Sequence, residues 1–142
     1  MTTIDGIDIA GLREVTLRMT RRLRRHSDPE LTLSQMSALS TLERHGPLRV
    51  GDLARHEQIG KSSVTRMIAR LEGLGHLDRR VDDADGRSFH VALTQQGQEL
   101  LTAANDRANA YLAERVAGLS AADRAAVRAA LPALQRLVEV RR

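Results

Sequence analysis

The chain has 142 residues, of which 42% are hydrophobic and 28% charged, a length for one ordinary domain and a composition that excludes an intrinsically disordered chain. It has no cysteine, which excludes a disulfide framework, a thiolate zinc site and a thiol redox switch, and no run approaching 18 apolar residues, so no membrane span is expected. The formal net charge of +4 comes with 21 arginines and the single lysine Lys61, and Phe89 and Tyr111 are the sole Phe, Trp or Tyr residues, so the core has to be aliphatic, which favours helix packing.

Met1 to Gly11 carries Asp5 and Asp8 and lacks a basic region followed by an apolar run. No secretory signal is expected there, and a cytoplasmic protein is the default. Ile9, Leu12, Val15, Met19 and Leu23 recur at three-to-four spacing and predict a first helix from Ile9 to His26, stopped by Asp28-Pro29. Arg21, Arg22, Arg24 and Arg25 fall in its last turns, where positive charge suits the helix dipole. A second helix follows Leu33-Ser34, with Ser34 as its N-cap and Met36, Leu39 and Leu42 as its stripe, and His45-Gly46-Pro47 stops it. Leu48-Arg49-Val50 reads as a short extended piece. A short third helix, Asp52 to Glu57, turns Leu53 and Ala54 inward.

Gln58-Ile59-Gly60 is a tight turn, and a fourth helix runs from Lys61 to about Leu74. Its stripe, Val64, Met67, Ile68 and Leu71, is the cleanest amphipathic pattern in the chain. Gly73 and Gly75 act as a helix stop and not as a nucleotide loop, because no parallel strand precedes them. After His76 the period changes to two. Leu77–Val81 and Ser88–Leu93 read as strands joined by the polar turn 82–87. Thr94 caps a long helix to about Ala117, with Ala104, Ala108, Leu112 and Val116 on its stripe. Ser120 opens a last helix carrying Val127, Leu131, Leu134, Leu137 and Val138, which Pro132 is expected to kink or split.

Short helices followed by a two-stranded hairpin make a winged helix-turn-helix. The fold class is mainly α with a small β-hairpin wing, flanked by N- and C-terminal helices. The second helix of the helix-turn-helix must pack one face on the first and offer the other to a major groove. Its free face carries Ser62, Ser63, Thr65, Arg66, Ala69 and Arg70. Residues 51–93 hold seven bases and seven acids, yet Lys61 to Arg70 holds three bases and no acid. Ser and Thr in a first helical turn can join free backbone N–H groups in holding phosphate. An amphipathic helix with an ordinary solvated face is the plainer alternative.

Residues 31–97 resemble the MarR family of bacterial transcription regulators. The resemblance lies in Leu48-Arg49-Val50-Gly51-Asp52-Leu53-Ala54-Arg55, in the run from Ser62 to Glu72, in Gly75-His76-Leu77, in the wing Asp85-Gly86-Arg87-Ser88, and in Leu93-Thr94 with Gly97. It implies a DNA-binding regulator, with a repressor of a pseudo-palindromic operator as the expected role and double-stranded DNA as partner. Residue by residue, Arg87 resembles the wing arginine that enters the minor groove, with Asp85 orienting it. Lys61, Ser62, Ser63, Thr65, Arg66 and Arg70 match the recognition-helix face. Gly86 departs from the arginine frequent at that place. The resemblance also implies a homodimer with interleaved terminal helices. Leu12, Leu112, Leu119, Leu131 and Leu134, with Met19 and Val138, would be partly exposed in a monomer. Residues 1–30 and 98–142 are therefore assigned to dimerisation and 31–97 to DNA binding.

Family members often bind small anions or phenols between the dimer helices and the DNA-binding lobe, which implies a small aromatic or anionic effector. Arg13, Met19, His26, Met36 and Leu39 are the candidate liners. The scarcity of aromatics argues against aromatic stacking there, and cysteine-based sensing is excluded. His26, His45, His56, His76 and His90 form no i, i+4 pair, so neither a metal site nor any cofactor is expected. The acids Asp82, Asp83 and Asp85 are accounted for by a turn, and nothing signals an enzyme. Two rival readings stay open: a non-sensory architectural DNA binder, and a dimeric protein-interaction module that would have no need of Arg66, Arg70 and Arg87.

Overall fold

A computed structural model describes residues 2–81 and 88–139. The elements in chain order are β1 (Thr3–Ile4), β2 (Ile7–Asp8), α1 (Ile9–His26), α2 (Leu33–His45), β3 (Leu48–Arg49), α3 (Val50–Glu57), α4 (Lys61–Gly73), β4 (Leu77–Val81), β5 (Phe89–Leu93), α5 (Gln95–Ala117) and α6 (Ala121–Val138). The chain is therefore mainly helical, with one small three-stranded antiparallel sheet in the order β3-β5-β4 and a two-stranded ribbon at its start.

The ribbon is an addition to the sequence reading. Asp5 and Gly6 both have positive φ, 50° and 82°, the pairing that a two-residue hairpin turn of type I′ demands. Thr3 then faces Asp8 and Ile4 faces Ile7. α1 keeps the predicted bounds. Its end is latched to α5, where the Arg107 guanidinium donates to the Ser27 carbonyl and lies 3.4 Å from the Asp28 carboxylate.

α2 starts two residues earlier than a Ser34 cap would require. Thr32 is the N-cap, and its hydroxyl accepts from the Gln35 amide at 3.1 Å while the Gln35 side chain accepts from the Thr32 amide at 2.9 Å. This reciprocal pair satisfies two amides at once, where a cap at Ser34 would satisfy one. α3 begins at Val50, two residues before Asp52. The extended piece before it, Leu48–Arg49, joins the wing sheet: Leu48 pairs with Val91 and Arg49 with His90. α6 runs through Pro132 without splitting. All 18 of its residues are exposed, and water can satisfy the carbonyl that a proline deprives of its N–H partner.

The core lies between α2, α3, α4, the sheet and the first half of α5. Leu39, Leu53, Val64, Leu71, Val91 and Leu101 are fully buried there. Gly97 fixes how α5 enters this core. A Cβ at Gly97 would run into the His76 backbone carbonyl, so only glycine fits. Thr94 completes the joint. Its hydroxyl accepts from the Gly97 amide at 3.0 Å and donates to the Gly75 carbonyl at 2.6 Å, and Gly75 itself turns with φ +83°.

A candidate nucleic-acid interface

The helix-turn-helix is built from α3, a turn at Gln58–Gly60 and α4. Gln58 adopts the left-handed conformation (φ 55°, ψ 38°) at the end of α3, and its amide and that of Ile59 close back on Arg55 and Ala54. α3 is tied behind to α2 by the Thr41 hydroxyl, which donates to the Glu57 carboxylate at 2.6 Å. Val64, Ile68 and Leu71 bury the inner face of α4, and Met67 packs beside them. The helix is thereby fixed in rotation, and its opposite face is set outward.

That outer face is the predicted one. Lys61, Ser62, Ser63, Thr65, Arg66 and Arg70 are all exposed. The Thr65 hydroxyl donates to the Lys61 carbonyl at 2.7 Å, and the Arg66 guanidinium reaches the Ser63 hydroxyl at 3.4 Å. Arg70 has no ion-pair partner among the described residues. The N-cap is Gly60, which brings no capping side chain, so the first-turn amides of α4 keep their donors for an external acceptor. Positive side chains thus run along one face of α4 from Lys61 to Arg70, with the free amides at its N-terminal end, an arrangement suited to phosphate and to base edges.

The wing stands beside α4. β4 and β5 pair from Leu77↔Leu93 to Val81↔Phe89. Asp85 and Arg87 lie outside the described residues. Sequence reasoning missed the link at the base of the wing. The Arg79 guanidinium donates to the Glu72 carboxylate on α4 at 3.0 Å and sits 4.5 Å over the Phe89 ring. Arg79 pairs with Val91, so Phe89 is its diagonal neighbour across the ladder. The strand register could have signalled that contact, whereas the bridge to Glu72 depends on the tertiary fold.

The other predicted residues are scattered. Leu39 is fully buried in the core. Arg13 is exposed on α1, and Met19 and Met36 line two different cavities. His26 stacks on Tyr111, with ring centroids 4.0 Å apart and planes 8° from parallel. His45 and His56 stack at 4.3 Å. Among the described residues, no three His, Asp or Glu side chains are placed to share a metal ion. Leu12 and Leu112 are half-buried, whereas Leu119, Leu131 and Leu134 are exposed. Among the described residues, no helix is long and apolar enough to cross a membrane.

Residues 31–89 match the model of the MarR family. Over 124 residues the chain is 38% identical to the uncharacterized HTH-type transcriptional regulator Mb0904 of Mycobacterium bovis, covering 87% of each protein. The chain belongs to the MarR family. Two solved structures show the same fold. Wild-type MarR from E. coli in its apo form superposes with a TM-score of 0.78 at 21% identity, over 90% of this chain and 97% of that one. BpsR of Bordetella bronchiseptica, whose DNA binding is regulated by 6-hydroxynicotinic acid, gives 0.71 at 22% identity, over 99% and 100% of the two chains. This MarR-family chain is a transcriptional regulator, of a family that binds DNA and forms dimers.

Proposed function

We propose that the chain is a repressor that binds a pseudo-palindromic operator as a homodimer. The observation that carries this is the outer face of α4: three bases, three hydroxyls and no acid between Lys61 and Arg70, on a helix whose other face is locked into the core. Arg66 and Arg70 are the base or phosphate contacts, Lys61, Ser62, Ser63 and Thr65 hold the backbone, and Arg87, oriented by Asp85, enters the minor groove. Arginine suits that groove because it is weakly hydrated and drawn by its enhanced negative potential. Residues 31–97 form the DNA-binding lobe.

The homodimer rests on α6. No residue of this helix is buried, and Val127, Leu131, Leu134, Leu137 and Val138 stand exposed on it. An 18-residue amphipathic helix left without a cover seeks one, and a second copy supplies it through residues 1–30 and 98–142. The two recognition helices then lie roughly 34–36 Å apart, one turn of DNA.

Release by a small aromatic or anionic effector is the third part of the proposal. A cavity of about 280 Å³ lies between α1, α2 and α5, lined by Thr20, Leu23, Arg24, Ser27, Met36 and Asn105 among others. It adjoins both the helices assigned to dimerisation and the DNA-binding lobe, so an occupant can bias the tilt between them. Met36 is the one sequence candidate that lines it.

A gel-shift titration with fragments of the promoter beside the chain's own gene, at several salt concentrations, tests the reading. Binding that is tight at low salt, falls steeply with salt and depends on sequence supports a repressor. No binding at low salt contradicts it, and indifference to sequence favours an architectural DNA binder.

A further inference from the structure

β4 is an edge strand of the wing sheet, whose order is β3-β5-β4. It leaves the core after one residue: Leu77 is buried, and Asp78 to Val81 are exposed. Its base is anchored, since the His76 amide donates to the Leu71 carbonyl at 2.9 Å and the Thr94 amide to the His76 carbonyl at 3.2 Å. Above such a base a strand pair bends and twists with little resistance, so the base alone does not fix the angle between the wing and α4. Arg79 stands two residues above Leu77, about 7 Å along the strand, where a brace has leverage.

Alternation puts Leu77 and Arg79 on one face of β4, with Phe89 and Val91 of β5. On that face the Arg79 Nε donates to both oxygens of the Glu72 carboxylate, at 3.0 and 3.2 Å, and the guanidinium lies 4.5 Å over the Phe89 ring. One side chain thus joins α4, β4 and β5. Asp78 and Arg80 belong to the other face, 3.6 Å apart and both exposed. Glu72 is the one acid in α4, two residues past Arg70. Unpaired, it would oppose a phosphate backbone lying along that helix; the Arg79 guanidinium compensates its charge. Because Val64, Ile68 and Leu71 fix the rotation of α4, a strut from Glu72 refers the wing to the same frame as the outer face of the helix.

We infer that Arg79 is a positioning residue. Held between Glu72 and Phe89, it sets the angle of the wing to α4, so that helix and wing meet the major groove and the flanking minor groove of one operator together. This rests on the DNA reading proposed above. It makes the Glu72 carboxylate a contributor to operator binding, although its charge has the sign that DNA repels.

The test compares, in the full-length protein, affinity for the promoter fragment with affinity for an unrelated fragment of equal length. Glu72→Gln removes an acid beside DNA, which by charge alone strengthens binding to both fragments. The strut predicts the reverse for the promoter. Its affinity falls about three-fold relative to the unrelated fragment, and about ten-fold in Arg79→Ala, which loses the ring contact as well. Adding Glu72→Gln to Arg79→Ala costs nothing further. Asp78→Asn makes the same charge change on the other face and leaves the ratio unchanged. A partly unfolded variant lowers both affinities alike, so the ratio reads the strut and not stability. In hydroxyl-radical and dimethyl sulfate footprints, Arg79→Ala loses minor-groove protection beside the operator and keeps guanine N7 protection in the major groove. A ratio unchanged or raised in Glu72→Gln, an equal loss in Asp78→Asn, additive losses in the double variant, or retained minor-groove protection in Arg79→Ala overturns the inference and leaves the DNA reading standing. Absence of promoter binding by the unsubstituted protein overturns both.

Discussion

Single side chains divide here into those that hold the recognition helix and those that use it. Val64, Ile68 and Leu71 hold α4, and Arg66 and Arg70 stand exposed on its other side. Replacing Arg66 or Arg70 by alanine should therefore cost about 1–3 kcal/mol of operator binding and leave the melting temperature unchanged; DNA titration beside thermal unfolding separates the two effects. A stability loss equal to the binding loss would contradict the assignment. Arg87→Ala should weaken DNA binding in the same way without unfolding the protein, and affinity equal to the unsubstituted chain would remove its wing role. Gly97 belongs to the opposite group. An added Cβ meets the His76 carbonyl, and backbone cannot give way as a side chain can. Gly97→Ala should destabilise the fold by at least the 1–3 kcal/mol typical of overpacking, read as an early unfolding transition in urea.

The elements show what was legible and what was not. α1 could be read to the residue, because its aliphatic stripe and the Asp28-Pro29 stop are both local. α4 could be read with its faces, because periodicity assigns sides without knowing the partner. The start of α2 was misread because Ser34 is a sound cap taken alone. Thr32 prevails because Gln35 reciprocates, a two-residue signal that was present. Thr32→Ala should accordingly cost about 1 kcal/mol, measurable by urea denaturation. The Asp5-Gly6 turn was likewise a readable hairpin signal. The third strand of the wing was not: Leu48–Arg49 is extended in any reading, and its partners are the distant Val91 and His90 in β5. The five ligand candidates were named as liners of the cleft that the family resemblance implies, and the fold distributes them between the core, the surface and separate cavities. Periodicity can say that a side chain faces inward, but not whether packed side chains or an open cavity meet it there.

At the scale of the molecule, one half of the chain is closed and the other is not. Residues of α2, α3, α4, the sheet and early α5 share a core, while α6 buries nothing in its own chain. The proposed dimer makes this exposure intelligible and ties the two halves to one function, since it alone sets the spacing of the two α4 helices. Leu131→Asp, which removes no contact within the protomer core, should shift the particle mass toward the monomer in light scattering and weaken operator binding with it. An unchanged mass would remove α6 from the interface. The most direct test of the central claim, that the outer face of α4 reads DNA, is the salt dependence of promoter binding in the unsubstituted chain and in Arg66→Ala. The account predicts a steep linear fall of log affinity with log salt, shallower by roughly one unit of slope in the variant if Arg66 touches phosphate, or of equal slope with relaxed sequence preference if it touches a base. Equal affinity, slope and preference in the two proteins would contradict it.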